Sequence, residues 1–253
     1  MTVLGVVSGK GGVGKTTIVA NLACALTKLG YDITVIDANL TTPHLGLQLG
    51  VSLLPKTLHD VMRGEDIFKA IYYHPLGFKF VIGGLSLESL SGVEVSKLMD
   101  IISDLSRTSD FLLLDSAPGF GREATSAIQA AEDILIVTNP EMQAVVDALK
   151  VKRLAESLNK RVLGIVLNRV KKSHYQLSKE EVEGITECPV LAQIPEDENV
   201  PKAIALKLPV VELIPNSPAA IEILKLSYYL VGKTFPTYSK FGFLGKLIDW
   251  LRK

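Results

Sequence analysis

The run Gly9-Lys10-Gly11-Gly12-Val13-Gly14-Lys15-Thr16 constrains this chain more than any other feature. Its spacing, Gly9-x4-Gly14-Lys15-Thr16, is the Walker A pattern of a loop that wraps nucleotide phosphates. Before it stands Val3-Leu4-Gly5-Val6-Val7, an apolar, β-branched run suited to a buried strand. After it, Thr17 to Lys28 has helical periodicity, with Ile18, Leu22, Ala25, Leu26 and Leu29 on one side. In a strand, glycine-rich turn and helix N-terminus, backbone N–H groups and the helix dipole together hold phosphate oxygens. Gly11, Gly12, Val13, Gly14, Lys15, Thr16 and Thr17 are therefore the expected phosphate-binding residues. Lys15 is expected to reach the β- and γ-phosphates, and Thr16 to offer its hydroxyl to Mg²⁺.

The rest of the chain alternates short apolar runs with longer helical patterns. Strands are expected at Ile33–Asp37, Phe80–Ile82, Phe111–Asp115, Ile134–Thr138, Val162–Leu167 and Val190–Ile194. Most are apolar on both faces, as parallel strands covered on each side should be. Helices are expected at Val95–Ser106, Glu123–Ala131, Gln143–Leu158, Lys179–Ile185, Val200–Leu208 and Pro218–Leu230. The alternation predicts an α/β fold: a doubly wound, mostly parallel sheet with helices on both faces and ligand at the carboxyl ends of the strands. At 253 residues this is one large domain, able to bury about three quarters of its unfolded surface. Lys+Arg and Asp+Glu both total 27, so the electrostatic case for nonspecific nucleic-acid binding is absent. Cys24 and Cys188 lie far apart, with neither metal-ligand nor disulfide spacing, and Cys24 reads as core. The four histidines lie in different elements and suggest no metal site. With no basic-apolar leader and no run of about 18 uncharged apolar residues, a cytoplasmic location is expected.

Lys10 is the extra residue of the phosphate loop. The extended form Lys10-Gly-Gly-Val-Gly-Lys-Thr-Thr17 resembles the deviant Walker A ATPase family that includes MinD and ParA, most closely its MinD-like members. The resemblance covers nearly the whole chain and implies the phosphate-loop NTPase fold, ATP and Mg²⁺ as cofactors, and ATP-dependent homodimerisation. It also implies that Lys10 contacts the nucleotide held by a partner subunit. There it would add positive charge where the transition state spreads negative charge, as an arginine finger does. Asn139-Pro-Glu141 matches the family too, and implies that Glu141 lies near Lys10.

Two strand-end acids fit the same picture. Phe111-Leu-Leu-Leu-Asp115 has the form of Walker B, whose Asp reaches Mg²⁺ directly or through water, and Ser116-Ala-Pro-Gly119 resembles the family's second switch. Asp37 opens the stretch Asp37-Ala-Asn39-Leu-Thr-Thr-Pro-His-Leu-Gly-Leu, which resembles the first switch. Thr16, Asp37 and Asp115 are thus the expected metal-site residues, and Lys10, Lys15 and Asn39 the expected catalytic ones. Asn39 is a departure, since the family usually has a second Asp there. An amide can orient water but cannot take its proton, so hydrolysis is expected to be present but slow. By resemblance alone, Asn168 is expected near the adenine, with Pro195 and Glu196 in the loop that closes over it.

The C-terminal end has a pattern of its own. Gly232–Lys240 breaks the helical pattern, giving a domain at 1–231, a linker at 232–240 and a segment at 241–253. At 3.6 residues per turn Phe243, Leu244, Leu247, Ile248, Trp250 and Leu251 share one side of that segment. Gly242, Gly245, Lys246, Asp249, Arg252 and Lys253 share the other. Aromatic residues opposite basic ones suit a helix lying in an anionic membrane interface, and MinD-like proteins end in a similar segment. One such tail should bind weakly, whereas two in a dimer gain avidity by about 10²–10⁴-fold. The expected function is an ATP-hydrolysing switch that dimerises, binds the inner face of the cell membrane peripherally and positions an unidentified protein partner. The partner's setting would be a division site or polar machinery. The competing expectations are a nucleotide-gated membrane scaffold with negligible turnover and a ParA-type partition ATPase.

Overall fold

The computed structural model describes residues 1–236, apart from 52, 87–91, 106–107 and 172. The expected membrane-binding helix at 241–253 and the linker beyond 236 lie outside the described residues. The strands are β1 (Thr2–Val7), β2 (Ile33–Ala38), β3 (Tyr72–Tyr73), β4 (Lys79–Val81), β5 (Phe111–Ser116), β6 (Asp133–Thr138), β7 (Arg161–Val170) and β8 (Val190–Pro195). They form one sheet in the order β3-β4-β2-β5-β1-β6-β7-β8, parallel except for the short β3–β4 pair. The mostly parallel doubly wound α/β fold expected from the sequence is therefore the fold observed.

The helices are α1 (Lys15–Lys28), α2 (Leu45–Gln48), α3 (Leu58–Met62), α4 (Leu98–Leu105), α5 (Arg122–Ala130), α6 (Met142–Ser157), α7 (Lys179–Thr186), α8 (Asn199–Ala205), α9 (Val210–Leu213) and α10 (Pro218–Leu230). Alternation along each strand splits the core in two, because successive side chains point to opposite faces. Ile36, Leu112, Leu114, Ile134 and Ile136 pack with α3 to α7, whereas Val35, Leu113, Leu135 and Val137 pack with α1, α2 and α8 to α10. Local signals stop and start several helices. Ser217 caps α10 by accepting from the Ala220 N–H (3.2 Å), with Pro218 in the first turn. Ser178 and Glu181 form a reciprocal capping box on α7.

The differences from the expected elements are confined to ends and short pieces. α8 stops at Ala205 rather than running to Leu208, because Lys207 takes a positive φ of 59° ahead of Pro209. The helix expected from Val95 begins as a single 3₁₀ turn, Val95–Lys97, before α4. The residues just after α10 lie close against the sheet domain: Phe235 meets Tyr228 edge to face at 5.2 Å, and Lys233 stands over the Tyr31 ring. No described helix is long and apolar enough to cross a membrane.

Candidate nucleotide site

β1 lies between β5 and β6, and the loop at its carboxyl end opens where the chain winds to either side of the sheet. Crevices in open α/β sheets form at this kind of switch point. The loop's shape depends on glycine at two places. Gly12 and Gly14 hold φ of 79° and 93°, in the left-handed region that glycine enters without strain. A Cβ on Gly14 would also lie 2.3 Å from the Asn168 amide nitrogen, so the loop closes directly onto β7. α1 then starts at Lys15, two residues earlier than its periodicity implies, which aims its first N–H groups into the loop.

The two lysines of the loop have opposite surroundings. Lys15 is buried and donates to Asp115 Oδ1 at 2.8 Å. Lys10 is 46% exposed, and its Nζ stands 3.5 Å from Glu141 Oε2, itself 57% exposed. The expected proximity of Glu141 to Lys10 is thus present within one chain.

Asp37 and Asp115 are register partners on adjacent parallel strands, so two carboxylates reach the same strand end. Burial, and then the Asp115 charge, pushes the Asp37 carboxyl well above the usual carboxylate range. Asp37 uses one oxygen to accept the Asn39 N–H (3.2 Å) and the other to accept the Leu45 N–H (3.0 Å). Asp115 Oδ2, by contrast, is buried with no hydrogen-bond partner. An orphaned carboxylate oxygen suits Mg²⁺, which binds one or two protein oxygens and completes its shell with phosphate and water. Asp115 and Asp37 at the paired strand ends and Thr16 in the cavity wall are the residues that could hold it. Among the described residues no cluster of three or more His, Cys, Asp or Glu offers an all-protein metal cage.

Two adjoining cavities run away from the loop. The larger, about 420 Å³, is lined by residues 11–17 together with Asn39, Thr42 and Pro118. The smaller, about 130 Å³, is lined by Gly14, Thr17, Asn168, Arg169, Pro195 and Glu196. The expected phosphate-binding and base-binding residues are thus brought together along two adjoining cavities that share Gly14, Thr17 and Arg169. Such a pair of cavities fits a nucleoside triphosphate with its phosphates on the loop. Asn168 is buried and donates from Nδ2 to the Val13 carbonyl (2.7 Å), tying the two cavities together. Its neighbour Arg169, which the sequence did not single out, lines both cavities and has a φ of 58°.

Asn39 is buried at the cavity wall, with its side chain engaged in a tight turn. Its Nδ2 donates to the Thr42 carbonyl (2.6 Å), and its Oδ1 accepts from the Thr42 hydroxyl (3.2 Å). Two further residues that sequence reasoning passed over hold this segment. Glu123 Oε2 accepts the N–H groups of Leu40 (2.9 Å) and Thr41 (3.2 Å), while its Oε1 accepts the Thr41 hydroxyl. His59 is fully buried, with Nε2 3.1 Å from the Leu40 carbonyl and Nδ1 accepting the Gly84 N–H at 2.8 Å. The acceptor role of Nδ1 puts the ring proton on Nε2. A carboxylate in a helix's first turn reads from sequence as a partner of the helix dipole, which conceals the reach of Glu123.

Residues 4–210 match the family model described as the CobQ/CobB/MinD/ParA nucleotide binding domain. An ATP-binding protein of Methanocaldococcus jannaschii is 36% identical over 252 residues, spanning 98% of this chain and 96% of that protein. The septum site-determining protein MinD of Thermotoga maritima is 31% identical over 260 residues, spanning 99% of this chain and 96% of that protein. The solved structure of the septum site-determining protein MinD of Pyrococcus horikoshii, complexed with Mg-ADP, superposes with a TM-score of 0.88. It is 33% identical to this chain, and the match covers 90% of this chain and 95% of that one.

Proposed function

Since the chain belongs to the MinD/ParA family of nucleotide-binding proteins, we propose that it is a MinD-like switch. It binds ATP with Mg²⁺, dimerises around the nucleotide, attaches to the membrane through 241–253 and positions a protein partner at a division site or a cell pole. The observation that carries this reading is the opposed setting of the two loop lysines. Lys15 is buried against Asp115, on the nucleotide side of the loop, whereas Lys10 faces solvent with only a surface pairing to Glu141. A surface pair of this kind contributes about 0–1 kcal/mol, so Lys10 can leave it for the phosphates of a facing copy. The domain at 1–231, the linker and the tail would then act as one device, and the protein would sit peripherally on the inner face of the membrane. Magnesium would neutralise developing phosphate charge. The protein's own share is Lys15 and the loop N–H groups on the phosphates, and Asn39 orienting the attacking water.

Sedimentation of the full chain with ATP and with ADP tests the reading. ATP should give a dimer and co-sedimentation with anionic vesicles, and ADP should give neither. Lys10→Ala should bind ATP yet stay monomeric, and Trp250→Glu should dimerise yet leave the vesicles. Equal vesicle binding with ADP would overturn the switch. Turnover is expected over minutes to hours. The scaffold reading, with negligible turnover, is favoured by the commitment of the Asn39 amide to Thr42, and single-turnover cleavage separates the two. Neutral net charge supports no DNA-partition role.

A further inference from the structure

We infer that Glu123 is a positioning residue, through which the helix that follows the second switch segment holds Asn39 in place at the phosphate cavity. The inference rests on the reading above for its catalytic consequence, but its structural content stands alone. The segment from Asn39 to Thr42 lies between β2 and α2 and has no strand or helix partner of its own. Each of its four backbone N–H groups goes instead to a side chain. Asp37 takes that of Asn39, Glu123 takes those of Leu40 and Thr41, and Asn39 Oδ1 takes that of Thr42 at 3.4 Å. Two of these four N–H groups thus go to one carboxylate oxygen that lies more than eighty residues away in sequence.

The position of that carboxylate gives the contact its meaning. Glu123 is the second residue of α5, and α5 begins where the stretch from Asp115 to Gly121 ends. Within that stretch the Gly119 N–H donates to the Ser8 carbonyl at 2.9 Å, at the base of the phosphate loop. A displacement of the second segment at the loop would therefore be passed through the start of α5 to the two central residues of the Asn39–Thr42 turn, Leu40 and Thr41. Reactions that depend on positioning are sensitive to such shifts, since about 1 Å of misplacement can cost about 10²-fold in rate. An acid that served only the helix dipole would affect α5 and leave the Leu40 and Thr41 amides alone.

The test uses the full chain with Glu123→Ala, Glu123→Gln and Thr41→Ala, read by amide hydrogen exchange across 39–42, MgATP affinity and single-turnover cleavage. In Glu123→Ala, exchange at Leu40 and Thr41 should rise at least about tenfold. Cleavage should fall about tenfold while MgATP affinity stays within about threefold. Glu123→Gln keeps an acceptor oxygen and should restore most of both losses. Thr41→Ala removes one of the three contacts without touching α5, and should give a smaller loss of the same kind. Unchanged exchange at Leu40 and Thr41, or equal losses in the Ala and Gln variants, would overturn the inference. If the native chain cleaves no ATP, the functional reading fails, while the exchange comparison still decides the positioning role.

Discussion

The phosphate loop and the segment from Asp37 to Leu45 form facing walls of one cavity, yet they are built in different ways. The loop makes its shape largely from its own backbone, with glycines at positive φ and a helix that begins inside the motif. The facing segment is held by its own Asp37 and Asn39 and by two borrowed side chains, Glu123 from α5 and His59 from α3. The backbone turn of the first wall is therefore set mostly within the loop and then held by Asn168 and Asp115, whereas the second wall depends on Glu123 and His59 being already packed against it. Geometry fixed locally suits binding, which must not vary, whereas geometry fixed by remote contacts can change when those contacts change. Substitutions in the two walls should consequently separate binding from positioning.

The largest effect is expected from Lys15→Ala. It removes the loop's buried cation and leaves Asp37 and Asp115 facing each other without one. Affinity for MgATP should fall by at least about 100-fold. Breaking a buried ion pair should also cost about 3 kcal/mol of stability. Titration with a fluorescent ATP analogue and urea unfolding measure the two losses, and affinity within threefold of native would remove the loop from its assigned role. His59→Leu should act on the other wall. It leaves the buried Leu40 carbonyl without its partner, at about 1–3 kcal/mol, and removes the acceptor of the half-buried Gly84 N–H, at about 1 kcal/mol. Stability should fall by about 3 kcal/mol, yet MgATP affinity should remain within about threefold, because no loop contact is touched. If affinity were to fall as far as in Lys15→Ala, the two walls would not be separable.

The same contrast explains what was legible in the sequence. The loop, the Asp115 strand end and the order of the major elements depend on patterns within about twenty residues, and the structure has them where the patterns put them. What escaped was short or distant. β3 is two residues long and antiparallel, and α2, α3 and α9 have four or five residues each, too few for a period to show. The strand expected to end at Leu167 continues to Val170, which carries Asn168 inside β7, where its amide can reach Val13. His59 read as an isolated histidine because its partners, Leu40 and Gly84, lie on separate segments. Burial could be inferred for apolar residues from alternation, but nothing in the local pattern marks a polar side chain that supports a neighbouring backbone. Cys24 did follow its Ala-Cys-Ala context. It is buried, and that burial pushes its thiol up to about 11, so it behaves as core.

The smallest expected effect is a dependence on pH confined to the borrowed wall. His59 must stay neutral to keep Nδ1 as an acceptor for the Gly84 N–H, and burial holds its pKa below the ordinary 6.5. The neighbouring Asp60 and Glu123 favour the charged ring but do not outweigh burial and Arg63. Because the folded value is the lower one, the unfolded chain binds more protons between the two values. Stability from this residue is therefore full above about pH 6.5, declines as pH falls from there toward the folded value, and levels off below it. His74 is shifted the same way by burial and contributes a background slope. Asp60 and Asp197, whose carboxyls are held below their usual 3.8, lose their contributions only near pH 4 and beneath. The change in urea midpoint between about pH 7.5 and 5.5 should thus be more downward in the native chain than in His59→Leu. Both share the His74 slope and the opposing slope of Asp37, whose folded carboxyl is raised, and only the native chain carries that of His59. Parallel profiles would mean that the ring's protonation does not matter to the wall. A steeper loss in the native chain, with MgATP affinity unchanged over the same range, would show the wall loosening while the loop holds.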